Sequence, residues 1–600
     1  PTKPINSGSA RYGGYWEWTD PDGLPTQLSN RNPVGLLNLR ENTSEVYRSI
    51  GNIQFDYQVP FVKGLRANLN LGYDVSKGGG TNIVSDSAAD NYRRKGVNNP
   101  YYQSRTNKLV DFYFNYAQTF KAINSRVDFT AGTGYQDFEF YIYNSPDRRF
   151  KGDTVPGSKQ EFISQVRAFT MISYYGRFVY TLANKYTVTL NARTDGVSKF
   201  SKDNRWGFFP SAAFAWQINE EEFLKNSKVV SNLKLRAGYG VTGQQDGIPF
   251  YGYIPVYSLS NNQAQYQFGS NYVNMLRPGD YDADLRWETT TNINAAIDFG
   301  FMDNRINGTV EGFLRKTEDL LSTVPIPAGS NFTNRLFTNV GNIESKGLEV
   351  TLNVVPVRTK DIQWDFGVNF TYVVPKITKL LVNEDPNFTG VEVGGISGGT
   401  GNTIQRHIVG QRPYSFYAYK QIYDANNKPI EGLYEDLNRD GIINEKDLYI
   451  LQSPEAKYFV GITSSISVKR FSAGFVMRGS IGNYMYDNMN SNMGVYRQIV
   501  NPLGFLANGT KDYLNTGFFN NQYFSDYYLK NASFLKMDNI NVGYDAGEIA
   551  KNVRLRITAN IQNVFVITKY KGLDPEIAGG IDNTIYPRPR TYVLGVNLDF

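Results

Sequence analysis

Apolar and polar residues alternate along much of this chain. Leu65, Ala67, Leu69, Leu71 and Tyr73 interleave with Arg66, Asn68, Asn70, Gly72 and Asp74. Leu348, Val350, Leu352 and Val354 interleave with Glu349, Thr351 and Asn353, and Val553, Leu555, Ile557, Ala559 and Ile561 with Arg554, Arg556, Thr558, Asn560 and Gln562. Successive side chains of a strand point to opposite faces, so each segment predicts a strand with one apolar and one polar face. No segment of comparable length carries a helical period. The pattern predicts an all-β chain.

A soluble sandwich alternates too, and loop length separates the two architectures. Short turns at 60–64, 121–124, 183–185, 218–230, 302–304, 357–361, 410–413, 469–470 and 547–552 alternate with long stretches. Those stretches, rich in Gly, Asn and Asp, lie near 77–105, 143–162, 244–286, 318–342, 424–455, 484–529 and 569–589. Tight periplasmic turns facing long external loops are the signature of an antiparallel transmembrane β-barrel, and the spacing implies about nineteen strands. Residues 1–44 then form an external loop and 45–600 the barrel. Both ends of the visible run point downward, so an odd number of strands is missing upstream. Three more would complete about twenty-two, the size of plugged outer-membrane transporters. The last strand, Tyr592, Leu594, Val596, Leu598 and Phe600, presents an apolar row suited to closing a barrel.

Composition agrees. No run approaches the roughly 18 apolar residues of a membrane helix, and mean hydropathy is −0.42. A barrel needs apolar side chains only at alternate positions, so neither value argues against a membrane. Tyr 43, Phe 38 and Trp 6 make 14% of the chain, as interfacial aromatic girdles require. A net charge of +6 is too mild for a nucleic-acid footprint. With no Cys and a single His, His407, disulfides, Cys-based zinc sites and thiol catalysis are excluded. Nothing in the sequence points to an enzyme. The start at Pro1, without Met or an apolar leader, reads as a processed chain or a piece of a longer one.

Two sites stand out. Residues 436–447 place Asp436, Asn438 and Asp440 at loop positions 1, 3 and 5, Gly441 at the sharp turn, the Ile442 carbonyl next and Asp447 at position 12. That spacing suits a structural Ca²⁺ ion, with Asp447 in place of the usual Glu; a plain polar turn is the alternative. Tyr12, Tyr15, Trp16 and Trp18 crowd the first loop, fitting a partner, a sugar ring or one another. Glu220, Glu221 and Glu222 read as a solvated turn, His407 beside Arg406 as a wall residue, and Gly394 to Gly399 as a mobile loop.

Several stretches resemble the SusC/RagA-type TonB-dependent outer-membrane transporters. They are Gly64 to Asp74, Arg193 to Phe200 with Arg205 to Ser211, Asn339 to Gly347, the 436–447 loop, Asn560 to Phe565 through Pro575, and Tyr586 to Phe600. The resemblance implies a twenty-two-stranded barrel in the cell outer membrane, amid its lipid, with an N-terminal plug and TonB box that this sequence lacks. It also implies a SusD-like surface lipoprotein over the mouth, TonB acting through the missing plug, and uptake of oligosaccharides or peptides. The polar alternates Arg554, Arg556, Asn560, Glu349 and Asn353 would line the lumen. The other function to weigh is a structural barrel subunit of a larger envelope assembly.

Overall fold

The computed structural model describes residues 10–159, 164–260, 264–326, 333, 335–381, 388–583 and 585–599. One sheet of seventeen strands dominates it. The strands are β1 (Arg40–Gln58), β2 (Leu65–Val84), β3 (Val97–Phe120), β4 (Ser125–Tyr143), β5 (Ser164–Leu182) and β6 (Tyr186–Val197). There follow β7 (Trp206–Gln217), β8 (Val230–Gln244), β9 (Glu288–Phe301), β10 (Ile306–Pro325), β11 (Arg335–Arg358) and β12 (Ile362–Lys379). The sheet ends with β13 (Tyr458–Val468), β14 (Phe471–Ile481), β15 (Phe534–Ala550), β16 (Val553–Thr568) and β17 (Thr591–Asp599). Each pairs antiparallel with the next in chain order. No register joins β1 to β17 among the described residues.

The two faces of this sheet differ as the alternation requires. Ala67, Leu69 and Leu71 of β2 lie opposite Phe114, Phe112 and Val110 of β3, forming an outward apolar row. The row stops where Tyr73 meets Lys108, after the roughly 9–11 residues that a tilted strand needs to cross a bilayer. Tyr73, Tyr135, Tyr174 and Tyr239 are all exposed, suiting the interface where apolar band gives way to water. The inner face carries ion pairs: Arg48–Asp74, Arg66–Asp56, and Arg236 with both Asp298 and Glu311. Short turns close the strands at one end. Ala183 and Asn184 both adopt positive φ, the backbone that matches a two-residue turn to the twist of its strands. Glu221, at another turn, accepts hydrogen bonds from Lys185, Tyr186 and Trp216, which holds its carboxyl down at about 2.

At the opposite end the long loops fold on themselves. Segments 391–395, 403–407, 415–418 and 449–450 form a separate four-stranded sheet. Ile404, Phe416, Tyr486, Val495, Phe518 and Tyr528 build its core. A second core, with Val197, Phe200, Leu285 and Trp287, caps the tops of β6 to β9.

This sheet corrects the strand count. The two segments flanking 410–413 are too short to cross a membrane, and their apolar residues Ile404, Phe416 and Ala418 pack into the loop core. Among the described residues the barrel sheet therefore holds seventeen strands where about nineteen were predicted. His407 lies on one of those loop strands, not in the barrel wall. Gly394 and Gly395 end a paired loop strand rather than forming a free loop. β1 starts at Arg40, so its upper end extends into the stretch assigned to the first loop. Phe600 lies outside the described residues.

Candidate functional site at the external mouth

In the first loop the predicted aromatics come together. Tyr12 is buried, donates from its hydroxyl to the Gly23 carbonyl, and sits edge-on to Tyr92, ring centroids 5.2 Å apart. The Tyr15 hydroxyl accepts from Asn38 Nδ2 at 2.9 Å. Trp16 and Trp18 form an edge-to-face pair at 4.8 Å, and Trp18 reaches Phe505 of a distant loop at 6.2 Å. Asn32 caps the short helix Pro33–Asn38 through Val34 N and Gly35 N. Its own N–H goes to Glu17 at 3.0 Å, and burial raises the Glu17 carboxyl. Loop packing thus accounts for Tyr12, while Tyr15, Trp16 and Trp18 keep part of their surface open.

The 436–447 loop winds its backbone around its own oxygens. Asp436 accepts from the N–H groups of Arg439, Asp440 and Gly441, and Asp440 accepts from Ile442 N at 2.9 Å. Gly441 supplies the positive φ of the sharp turn, 81°. Asn438 donates to Asp440 at 3.0 Å. Asp447 is enclosed and accepts from Leu437, Asn438 and Asn444; those N–H groups hold its carboxyl below the usual range. Among the described residues no three Asp, Glu, His or Cys side chains form a metal-holding group. An ion here would draw on two or three carboxylates, the Asn438 amide and the Ile442 carbonyl, a donor set of hard oxygens that suits Ca²⁺.

Sequence reasoning missed a cavity of about 1110 Å³ where the inner wall meets these loops. Asn369 and Thr371 of β12, Phe459 of β13 and Arg478 of β14 contribute from the wall. Tyr414, Glu455, Glu576 and Arg588 contribute from the loops. Arg478 donates to Asp538 at 2.6 Å and to both oxygens of Glu576. Arg588 binds Glu576 at 2.7 Å and Asp574 at 3.0 Å. Lys536 lies 3.7 Å from Glu576. This network ties the 569–590 loop to the wall. The strand parity that gave the lumen face could have flagged Asn369 and Phe459, but no spacing reveals loops from distant segments closing over them.

The model for the TonB dependent receptor-like β-barrel matches residues 4–564. The chain belongs to this family. The TonB-dependent receptor SusC of Bacteroides thetaiotaomicron is 38% identical over 639 residues, covering 100% of this chain and 62% of that protein. TonB-dependent receptor P26 of Formosa agariphila is 28% identical and is covered over 63% of its length. This receptor barrel thus spans less than two thirds of its curated relatives. Among solved structures, the RagAB peptide importer in its open-open state superposes with a TM-score of 0.78 at 21% identity, over 96% of this chain and 63% of that one. That match establishes the fold. The relatives are receptors and transporters, not enzymes, and this receptor is an outer-membrane β-barrel.

Proposed function

We propose that this receptor is the barrel of an outer-membrane nutrient importer. It takes up oligosaccharides or peptides, driven by TonB through a plug, with a SusD-like lipoprotein over its mouth. The observation that carries this is the 38% identity to SusC along the whole chain, joined to a polar, ion-paired inner wall that opens beneath folded external loops. The receptors and importer named above do not favour a purely structural role. Uptake by cells carrying the full-length protein tests the proposal: deletion should abolish uptake of a nutrient that the intact protein imports. Uptake unchanged by deletion would return the barrel to a scaffolding role.

The lid is assigned to the first loop, whose Trp16 and Trp18 keep open surface beside Phe505. A few aromatic anchors carry most of the energy in such interfaces. Trp16→Ala with Trp18→Ala should reduce recovery of the lipoprotein in a pull-down while barrel assembly stays normal. Unchanged recovery would leave the pair as loop packing.

The 436–447 loop is proposed to hold one structural Ca²⁺, supported by the oxygen donors and the Gly441 turn. Inductively coupled plasma analysis of purified protein should find calcium, and EDTA should speed proteolysis within the loop. Asp436→Ala with Asp440→Ala should abolish both effects and leave the barrel intact. Absence of calcium would make the loop a self-capped turn.

A further inference from the structure

The outward, membrane-facing side of the sheet is not uniform between β7 and β12. Phe214, Ala237, Ala295, Gly312 and Leu348 meet in one register row across β7 to β11. The small residues in the middle of that row leave an apolar groove of about 670 Å³. Tyr239, Ile293 and Leu314 stand along its external side, and a side chain at Gly312 would meet nothing within 4 Å. The outward positions of β10 run from Ile306 to Leu314, about the 9–11 residues that cross a bilayer. The groove therefore lies within the hydrocarbon, and acyl chains are what that medium offers to fill it.

Charge begins where this apolar run ends. Lys316 takes the next outward position on β10, Lys346 lies opposite Leu314 at the edge of the groove, and Lys376 stands at the same level on β12. All three are exposed. They gather around Glu344, which pairs in register with Lys316 on one side and Lys376 on the other. Lys346 reaches Glu344 at 2.9 Å and Lys316 only at 4.0 Å, and among the described residues Lys376 has no ion pair. Glu318, further out on β10, makes no ion pair with any of them among the described residues. Thr291, opposite Lys316, adds a hydroxyl. Three ammonium groups thus share one carboxylate at contact range, two strand residues or about 7 Å above the groove.

From this we infer that the outer wall binds one phosphate-bearing lipid of the outer leaflet, its headgroup on Lys316, Lys346 and Lys376 and an acyl chain in the groove beneath. Apolar contact alone chooses poorly among lipids, because their tails are as apolar as the wall itself. The groove supplies a shape that the neighbouring rows of Leu, Ile and Val do not. The ammonium groups supply the choice of headgroup, since a phosphate takes charge-assisted hydrogen bonds that a neutral headgroup cannot. Basic clusters at the edge of the apolar band recognise anionic headgroups for the same reason. Outer-membrane placement is all that this site requires, and it stands whatever cargo passes through the lumen.

Native mass spectrometry of full-length protein in detergent tests the site with dioleoyl phosphatidic acid, dioleoyl phosphatidylcholine and inorganic phosphate. Phosphatidic acid should bind as one molecule per barrel, about tenfold tighter than phosphatidylcholine. Lys316→Gln, Lys346→Gln and Lys376→Gln together should remove that preference. Gly312→Leu should fill the groove and weaken phosphatidic acid about fivefold or more with the lysines intact. Ala295→Leu should repeat the loss from the neighbouring strand. These positions are all exposed, so the variants keep the barrel, which migration on an unheated gel checks. Equal binding of the two lipids overturns the site, as does wild-type affinity in the lysine variant or in both groove variants. Displacement of the lipid by millimolar inorganic phosphate would overturn it too, leaving a surface contact for the headgroup alone. A dimer that forms on this face and excludes the lipid would also overturn it and give the groove to a second copy of the chain.

Discussion

Val350→Arg should destabilise the barrel by about 2–4 kcal/mol, whereas Glu349→Arg, one residue away, should change it by less than about 1 kcal/mol. Val350 pairs with Val310 on one side and Phe370 on the other, in the outward row that includes Leu348, Leu352 and Val354. Its place midway along that row puts an arginine near the centre of the hydrocarbon. Glu349 pairs with Glu311 and Thr371 and faces the water-filled interior. Urea unfolding of full-length protein in phospholipid vesicles measures both. Equal effects at the two positions would mean that the faces are assigned the wrong way round.

Asp447→Ala should open the 436–447 loop, with hydrogen-exchange protection of its amides falling about tenfold or more. Three backbone N–H groups converge on this one carboxylate, and alanine would leave all three without an acceptor. The N–H groups, that of Asn444 foremost, keep the carboxyl below its usual range against the opposing effect of burial, which sets the pH response. The stabilisation is fully present above the unfolded value of about 3.9 and is lost as pH falls through the lower folded value. Loop protection should therefore hold steady from neutrality to about pH 5 and decay below about pH 4. Decay already at pH 6 would point to another group.

The strand faces were legible because one period of two governs each crossing segment: Leu348 to Val354 and Val553 to Ile561 fall as their alternation requires. The 436–447 turn was legible for a similar reason, since its ligand spacing is local. What misled the strand count was also local. Ile404, Phe416 and Ala418 are apolar and bounded by a short turn at 410–413, as membrane strands are, yet they bury against Tyr486, Phe518 and Tyr528. Nothing in a short apolar segment says whether lipid or protein will cover it. The cavity was illegible for the converse reason. Asn369 and Phe459 were readable as lumen positions, but Glu576 reaches Arg478 from 98 residues away and binds Arg588 as well, and only the fold brings them together.

The ion pairs on the inner face have a consequence for how this wall treats its cargo. Where a guanidinium on the wall is matched by a carboxylate, as Arg48, Arg66 and Arg236 are, the two fields largely cancel within a few ångströms, whereas Arg556 on the same face donates to Ser472 and has no ion pair among the described residues. Around those pairs little potential extends toward the channel axis. The paired stretches of wall contribute little electrostatic focusing, so what focusing there is comes from unpaired guanidiniums such as Arg556 and is screened as the surrounding medium shortens the Debye length. The pull of the wall on a charged solute should therefore be weak along the paired stretches and should fall as the ionic strength of the habitat outside rises.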